Sequence, residues 1–151
     1  MLPNAKKTVV CITPASFTNG ATAGAGNTNE YVDTKGWKQA DFSVILSAAD
    51  VVSNAPSVLK VQEADVTNAS SFADVSGFVG GTDFTIGSAY TNSAGQNVYN
   101  LNVPVLGGRK RYLRLQVSPR TTQIVAAVCD LSRGENNPGT AAQTGAISGV
   151  V

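Results

Sequence analysis

A chain of 151 residues with a net charge of +1 is long enough for one domain with a real core. Only 14% of its residues are charged, against about 25% in a typical soluble domain, and none is histidine. The lack of histidine excludes Ser-His and Cys-His nucleophile pairs, histidine metal sites and the commonest general base.

Read in order, the chain alternates short β-prone runs with turn chemistry. Lys7–Thr13 is the first predicted strand, with Val9 and Cys11 on one face and Val10 and Ile12 on the other. Pro14 is expected to end it, because proline cannot donate to a ladder. The segment from Thr18 to Asn27, with Gly20, Gly24 and Gly26, reads as a flexible loop. A short strand over Asn29–Thr34 stops at Gly36. Gln39–Ala48 then alternates Phe42, Val44 and Leu46 with Asp41, Ser43 and Ile45, the pattern of a half-buried strand. Ala48–Ala55 has some helical character but is too short to stand alone, and reads as a connection.

Val58–Asp65 opposes Leu59 and Val61 to Lys60 and Gln62. A short piece over Phe72–Val75 precedes the turn Gly80-Gly81, and Thr82–Ile86 is predicted as a brief strand. Asn92–Gln96 is a loop. Asn97–Val105 sets Tyr99, Leu101, Val103 and Val105 against Val98, Asn100 and Asn102. Gly107-Gly108 turns into Arg109–Ser118, where Leu113, Leu115 and Val117 share a face. Thr122–Leu131 closes the domain, with Ile124, Ala126 and Val128 as its apolar row. About eight strands with half-apolar faces are most economically buried as two packed sheets. The expected fold is therefore all-β: a single-domain antiparallel sandwich over residues 7–132, as an eight-stranded jelly roll, which limits exposed edges.

The ends differ in composition. Residues 1–6 form an N-terminal arm, and residues 133–151 a Gly/Ala-rich C-terminal arm. Neither can build a core, so Leu2, Ile147, Val150 and Val151 are expected to contact a partner. The start, with Lys6 and Lys7 and no apolar run behind them, does not read as a signal peptide. No apolar stretch approaches the roughly 20 residues that a membrane span requires.

Few residues are candidates for chemistry. Cys11 and Cys129 are too far apart in sequence for a local metal or redox motif, and read as buried thiols; a bridge between the terminal strands is the alternative. Glu63 and Asp65 share a strand face as a solvated strand end, and Asp50 and Asp83 read as turn residues. No metal or cofactor is expected.

Charge is unevenly placed. Residues 1–107 carry five basic against eight acidic residues, net −3, whereas residues 108–133 carry six basic residues against Asp130 alone, net +5. Within Gly108–Arg114, strand alternation puts Arg109 and Arg111 on the Leu113 side, and Lys110, Tyr112 and Arg114 on the other. Arg109, Lys110, Arg111 and Arg114 are candidate partner-binding residues, as guanidinium forks on acidic or carbonyl groups of a neighbour. The competing reading pairs them within the chain, with Asp41, Glu63 or Asp65. Direct nucleic-acid binding is not expected, since only Tyr112 interleaves the basic run.

Three segments in this order, Asp41–Leu46, Leu59–Glu63 followed by Phe72–Val75, and Gly108–Arg114 ahead of Ile124–Val128, resemble the decoration (cement) proteins of tailed bacteriophages. The resemblance covers roughly residues 39–131. It implies a non-enzymatic β-sandwich, made in the bacterial cytoplasm, that binds the outside of an icosahedral head and bridges major capsid protein subunits. It also implies self-association as a dimer or trimer. Two rivals are a tail, baseplate or head-fibre module, and a carbohydrate-binding β-sandwich with an aromatic platform drawn from Tyr31, Trp37, Tyr90 and Tyr99.

Overall fold

The computed structural model describes residues 6–24, 30–48, 55–88 and 97–134. These form eight strands: β1 (Lys6–Phe17), β2 (Val32–Asp33), β3 (Gln39–Leu46), β4 (Val58–Ala64), β5 (Ala73–Val79), β6 (Val98–Pro104), β7 (Tyr112–Ser118) and β8 (Gln123–Ser132). A three-residue 3-10 turn at Ala69–Ser71 is the only helical element among the described residues. The strands make two four-stranded antiparallel sheets, ordered β1-β8-β3-β6 and β2-β7-β4-β5, packed as a sandwich. The expected all-β sandwich is the fold observed. Pairing is nested: β1 with β8, β2 with β7, β3 with β6 and β4 with β5.

Strand alternation explains why the core lies between the sheets. Phe42, Val44 and Leu46 of β3, Leu101 and Val103 of β6, and Val125, Ala127 and Leu131 of β8 point inward from one sheet. Leu59 and Val61 of β4, and Leu113, Leu115 and Val117 of β7, meet them from the other. All of these side chains are buried, and Phe42, Val44, Leu113 and Leu131 fully so. Burying one such side chain stabilises the fold by roughly 1.5–3 kcal/mol.

Five expectations are corrected by the structure. Pro14 does not end β1, which runs on to Phe17. Because β1 is an edge strand, a residue without an N–H costs it little, and its register shifts on either side of Ile12 absorb the irregularity. The predicted strand over Asn29–Thr34 shrinks to Val32–Asp33, leaving a very short edge on its sheet. Thr82–Ile86 forms no strand: Gly81–Asp83 is a turn, Phe84 makes a single bridge to Gly80, and the Asp83 carboxylate accepts from the N–H groups of Gly77 and Val79 at 2.8 and 2.9 Å, folding the segment onto β5. The strand predicted from Arg109 starts only at Tyr112. In β8 the inward row is Val125, Ala127, Cys129 and Leu131, not Ile124, Ala126 and Val128.

One loop is better seated than its composition suggests. Ala23 exchanges two backbone hydrogen bonds with Val117, at 2.8 and 3.2 Å, extending the β2 edge. Gly24 follows at φ +81°, where a Cβ would clash with the Leu115 carbonyl oxygen. Only glycine fits there. The segment 48–55, read as a connection, lies largely outside the described residues, as do Asn92–Gln96 and the partner-contact candidates Leu2, Ile147, Val150 and Val151.

Candidate functional site

The basic run falls at one end of the sandwich and divides three ways. Arg109 lies in the β6–β7 connection, where its Nη1 reaches Glu63 Oε2 at 3.2 Å. Glu63 Oε2 also accepts the Lys110 backbone N–H at 3.1 Å, while the Arg109 Nε is buried without a partner. Arg111 stands just before β7 and forks onto Asp33 of β2, Nε to Oδ1 at 2.9 Å and Nη2 to Oδ2 at 2.6 Å. That fork holds the Asp33 carboxyl below its ordinary value and the guanidinium above its own. Arg111 also lies over the Tyr112 ring at 4.9 Å.

Arg114 takes the third course. It projects from the outer face of its sheet yet is only 4% exposed, because Phe72 covers it at 4.3 Å from the ring centroid. Its Nη2 donates to Gln62 Oε1 at 2.6 Å, Gln62 Nε2 donates to Asp74 Oδ1 at 2.7 Å, and Asp74 pairs with Lys60 at 2.9 Å. Arg114, Gln62 and Asp74 stand opposite one another on β7, β4 and β5, so one cross-strand row ties three strands together. Burial lowers the Arg114 pKa, and the Lys60 and Gln62 contacts lower that of Asp74.

Of the proposed intrachain acceptors, Glu63 is used. Asp65 is exposed, and Asp41 accepts from Gln39 Nε2. The fork on Asp33 was not foreseen. Asp33 and Arg111 lie 78 residues apart, and only the β2–β7 pairing brings them together. Around this end Lys35, Lys38, Trp37, Leu106, Arg109 and Arg111 line an open groove of about 490 Å³.

A second surface was not anticipated. On the outer face of β1-β8-β3-β6, β8 presents Ile124, Ala126 and Val128 in a row. Val10 of β1 stands opposite Val128, Ile45 of β3 opposite Ala126, and Val98 of β6 opposite Ile45. Val10, Ile45 and Ile124 are 58%, 52% and 54% exposed. Four strands thus contribute to one continuous apolar strip. At its end Asp41 and Asp130 face each other across β3 and β8, with no cation paired to either among the described residues. Like charges directly opposite are unfavourable in an isolated sheet. The signal for this strip was present in the sequence, since β8 is apolar at both parities.

Among the described residues, the candidate aromatics Tyr31, Trp37 and Tyr99 do not make a flat platform. Trp37 and Tyr99 pack against the core, Tyr31 meets Tyr112 edge-on at 5.2 Å, and Tyr90 lies outside the described residues. Among the described residues no group of three or more Cys, Asp or Glu side chains is placed to hold a metal ion, and no helix is long and apolar enough to cross a membrane. Comparison with protein-family models, with curated proteins and with solved structures finds no match to this chain.

Proposed function

We propose that this protein is a non-enzymatic virion component that binds the outside of a tailed-phage capsid and stabilises the shell by bridging major capsid protein subunits. The observation that carries the reading is the apolar strip of exposed residues on the outer face of one sheet. Contiguous exposed apolar surface marks an interaction site, and a low-charge surround defends it poorly against association. The strip ends in the Asp41/Asp130 couple, whose carboxylates accept from Gln39 Nε2 and Thr8 Oγ1 but meet no cation among the described residues, which fits a partner surface that is apolar with a basic side chain at its margin. The nested strand order also supports the finer fold assignment, an eight-stranded jelly roll made by folding one long antiparallel ribbon.

In this account the arginines of the basic end hold the domain together more than they grip a neighbour. Each is already engaged by Glu63, Asp33 or Gln62. The strip supplies the contact area, and self-association would extend the bridge. Binding is tested by mixing purified protein with expanded capsids that lack it. Saturable uptake on capsids, and none on tails, supports the reading; uptake on tails alone moves a tail, baseplate or fibre role ahead.

A further inference from the structure

The two cysteines of the chain are buried in the same core cluster, although one sits midway along β1, the first strand, and the other in the second half of β8, the last. In the β1–β8 pair, Val9 stands directly opposite Cys129, and Cys11 is the residue added where the register shifts between Val10 and Ile12. The Cys11 thiol turns back toward Val9, with Sγ 3.6 Å from the Val9 carbonyl oxygen, and so toward Cys129. A contact with Cys11, with burial second, raises the Cys129 thiol above the usual range. Both thiols are free in this structure.

We propose that Cys11 and Cys129 are a reversible cross-link site, whose oxidation straps the edge strand β1 to β8 once the protein leaves a reducing environment. The oxidant is a small disulfide such as oxidised glutathione. When β1 opens locally, the Cys11 thiolate attacks the glutathione disulfide and displaces one glutathione thiolate. The Cys129 thiolate then attacks the Cys11 sulfur of the mixed disulfide and displaces the second. The two protein protons end on the two glutathiones, and two electrons pass to the oxidant. A bulged edge strand is the element most easily opened, which gives the buried pair access to reagent. The bond would close a loop spanning most of the chain, the case in which a cross-link restrains the unfolded state most.

This inference does not depend on the proposed function and is tested on the free protein. The full chain is equilibrated in glutathione buffers of increasing oxidised fraction, then analysed by intact mass, non-reducing peptide mapping and thermal melting. Loss of the mass of two hydrogen atoms, a peptide joining Cys11 to Cys129, and a melting temperature raised by roughly ten degrees and returned by dithiothreitol support it. Cys129→Ser should show no oxidant-dependent rise, whatever its own stability. The proposal is overturned if the most oxidising buffer leaves both thiols free, stops at a glutathione adduct, or joins separate chains.

Discussion

Arg114 of β7 and Gln62 of β4 stand directly opposite one another, and the guanidinium Nη2 donates to the amide oxygen at 2.6 Å. The charge is buried under Phe72 and makes no ion pair among the described residues, so the amide is its main polar support. Gln62→Leu should therefore leave a buried cation short of an acceptor and cost about 1–3 kcal/mol. Arg114→Met keeps the stem's packing but orphans the Gln62 oxygen, and should cost a similar amount. Urea titration of each variant checks this; two neutral substitutions would show that water replaces the contact.

Two residues of β3 that face opposite ways should respond differently. Phe42 is fully buried, and Phe42→Ala should cost about 3–5 kcal/mol as a cavity opens between the sheets. Ile45 faces outward, and Ile45→Ser should change stability by about 0.5 kcal/mol or less. On capsids the order should reverse in meaning: Ile45→Lys should fold normally but bind with reduced occupancy. Occupancy unchanged by Ile45→Lys and Ile124→Lys together would remove the strip from the contact.

Acid should destabilise the domain through Asp33 and Asp74. Both carboxyls have pKa values lowered by their partners, chiefly Arg111 for Asp33 and Lys60 for Asp74. A folded pKa below the unfolded one favours folding while the group is ionised. That contribution is complete above the usual value near 3.8 and is lost as pH falls through the folded value. Both groups are well exposed, so the effect of each should be small and salt-sensitive. Melting curves should fall below about pH 4, and less steeply in Arg111→Ala and Lys60→Ala. Identical acid limbs in variants and parent would contradict the assignment.

Much of the sandwich is legible in the sequence because β3, β6 and β7 each have one apolar parity and one that is mostly polar, Ile45 and Val98 being exceptions. Phe42, Leu101 and Leu115 declare their side, and the structure buries all three. β8 has no such contrast, and Ile124 looks as suited to a core as Val125 does. Sequence spacing cannot choose between them; the partner strands do, by burying Cys129 and Leu131. Pro14 misleads because the rule against it applies to central strands, and β1 is at an edge. The Arg111–Asp33 fork is invisible for a different reason: β2 has only two residues, too few to announce a strand or its pairing.

The proposed bridging role is tested most directly by heating particles made with and without this protein and recording the temperature at which DNA is released. A ligand that binds only the assembled shell raises its stability by mass action. Particles lacking the protein should form, release DNA at a lower temperature, and regain full resistance saturably when purified protein is added back. Particles equally robust with and without it would contradict the account.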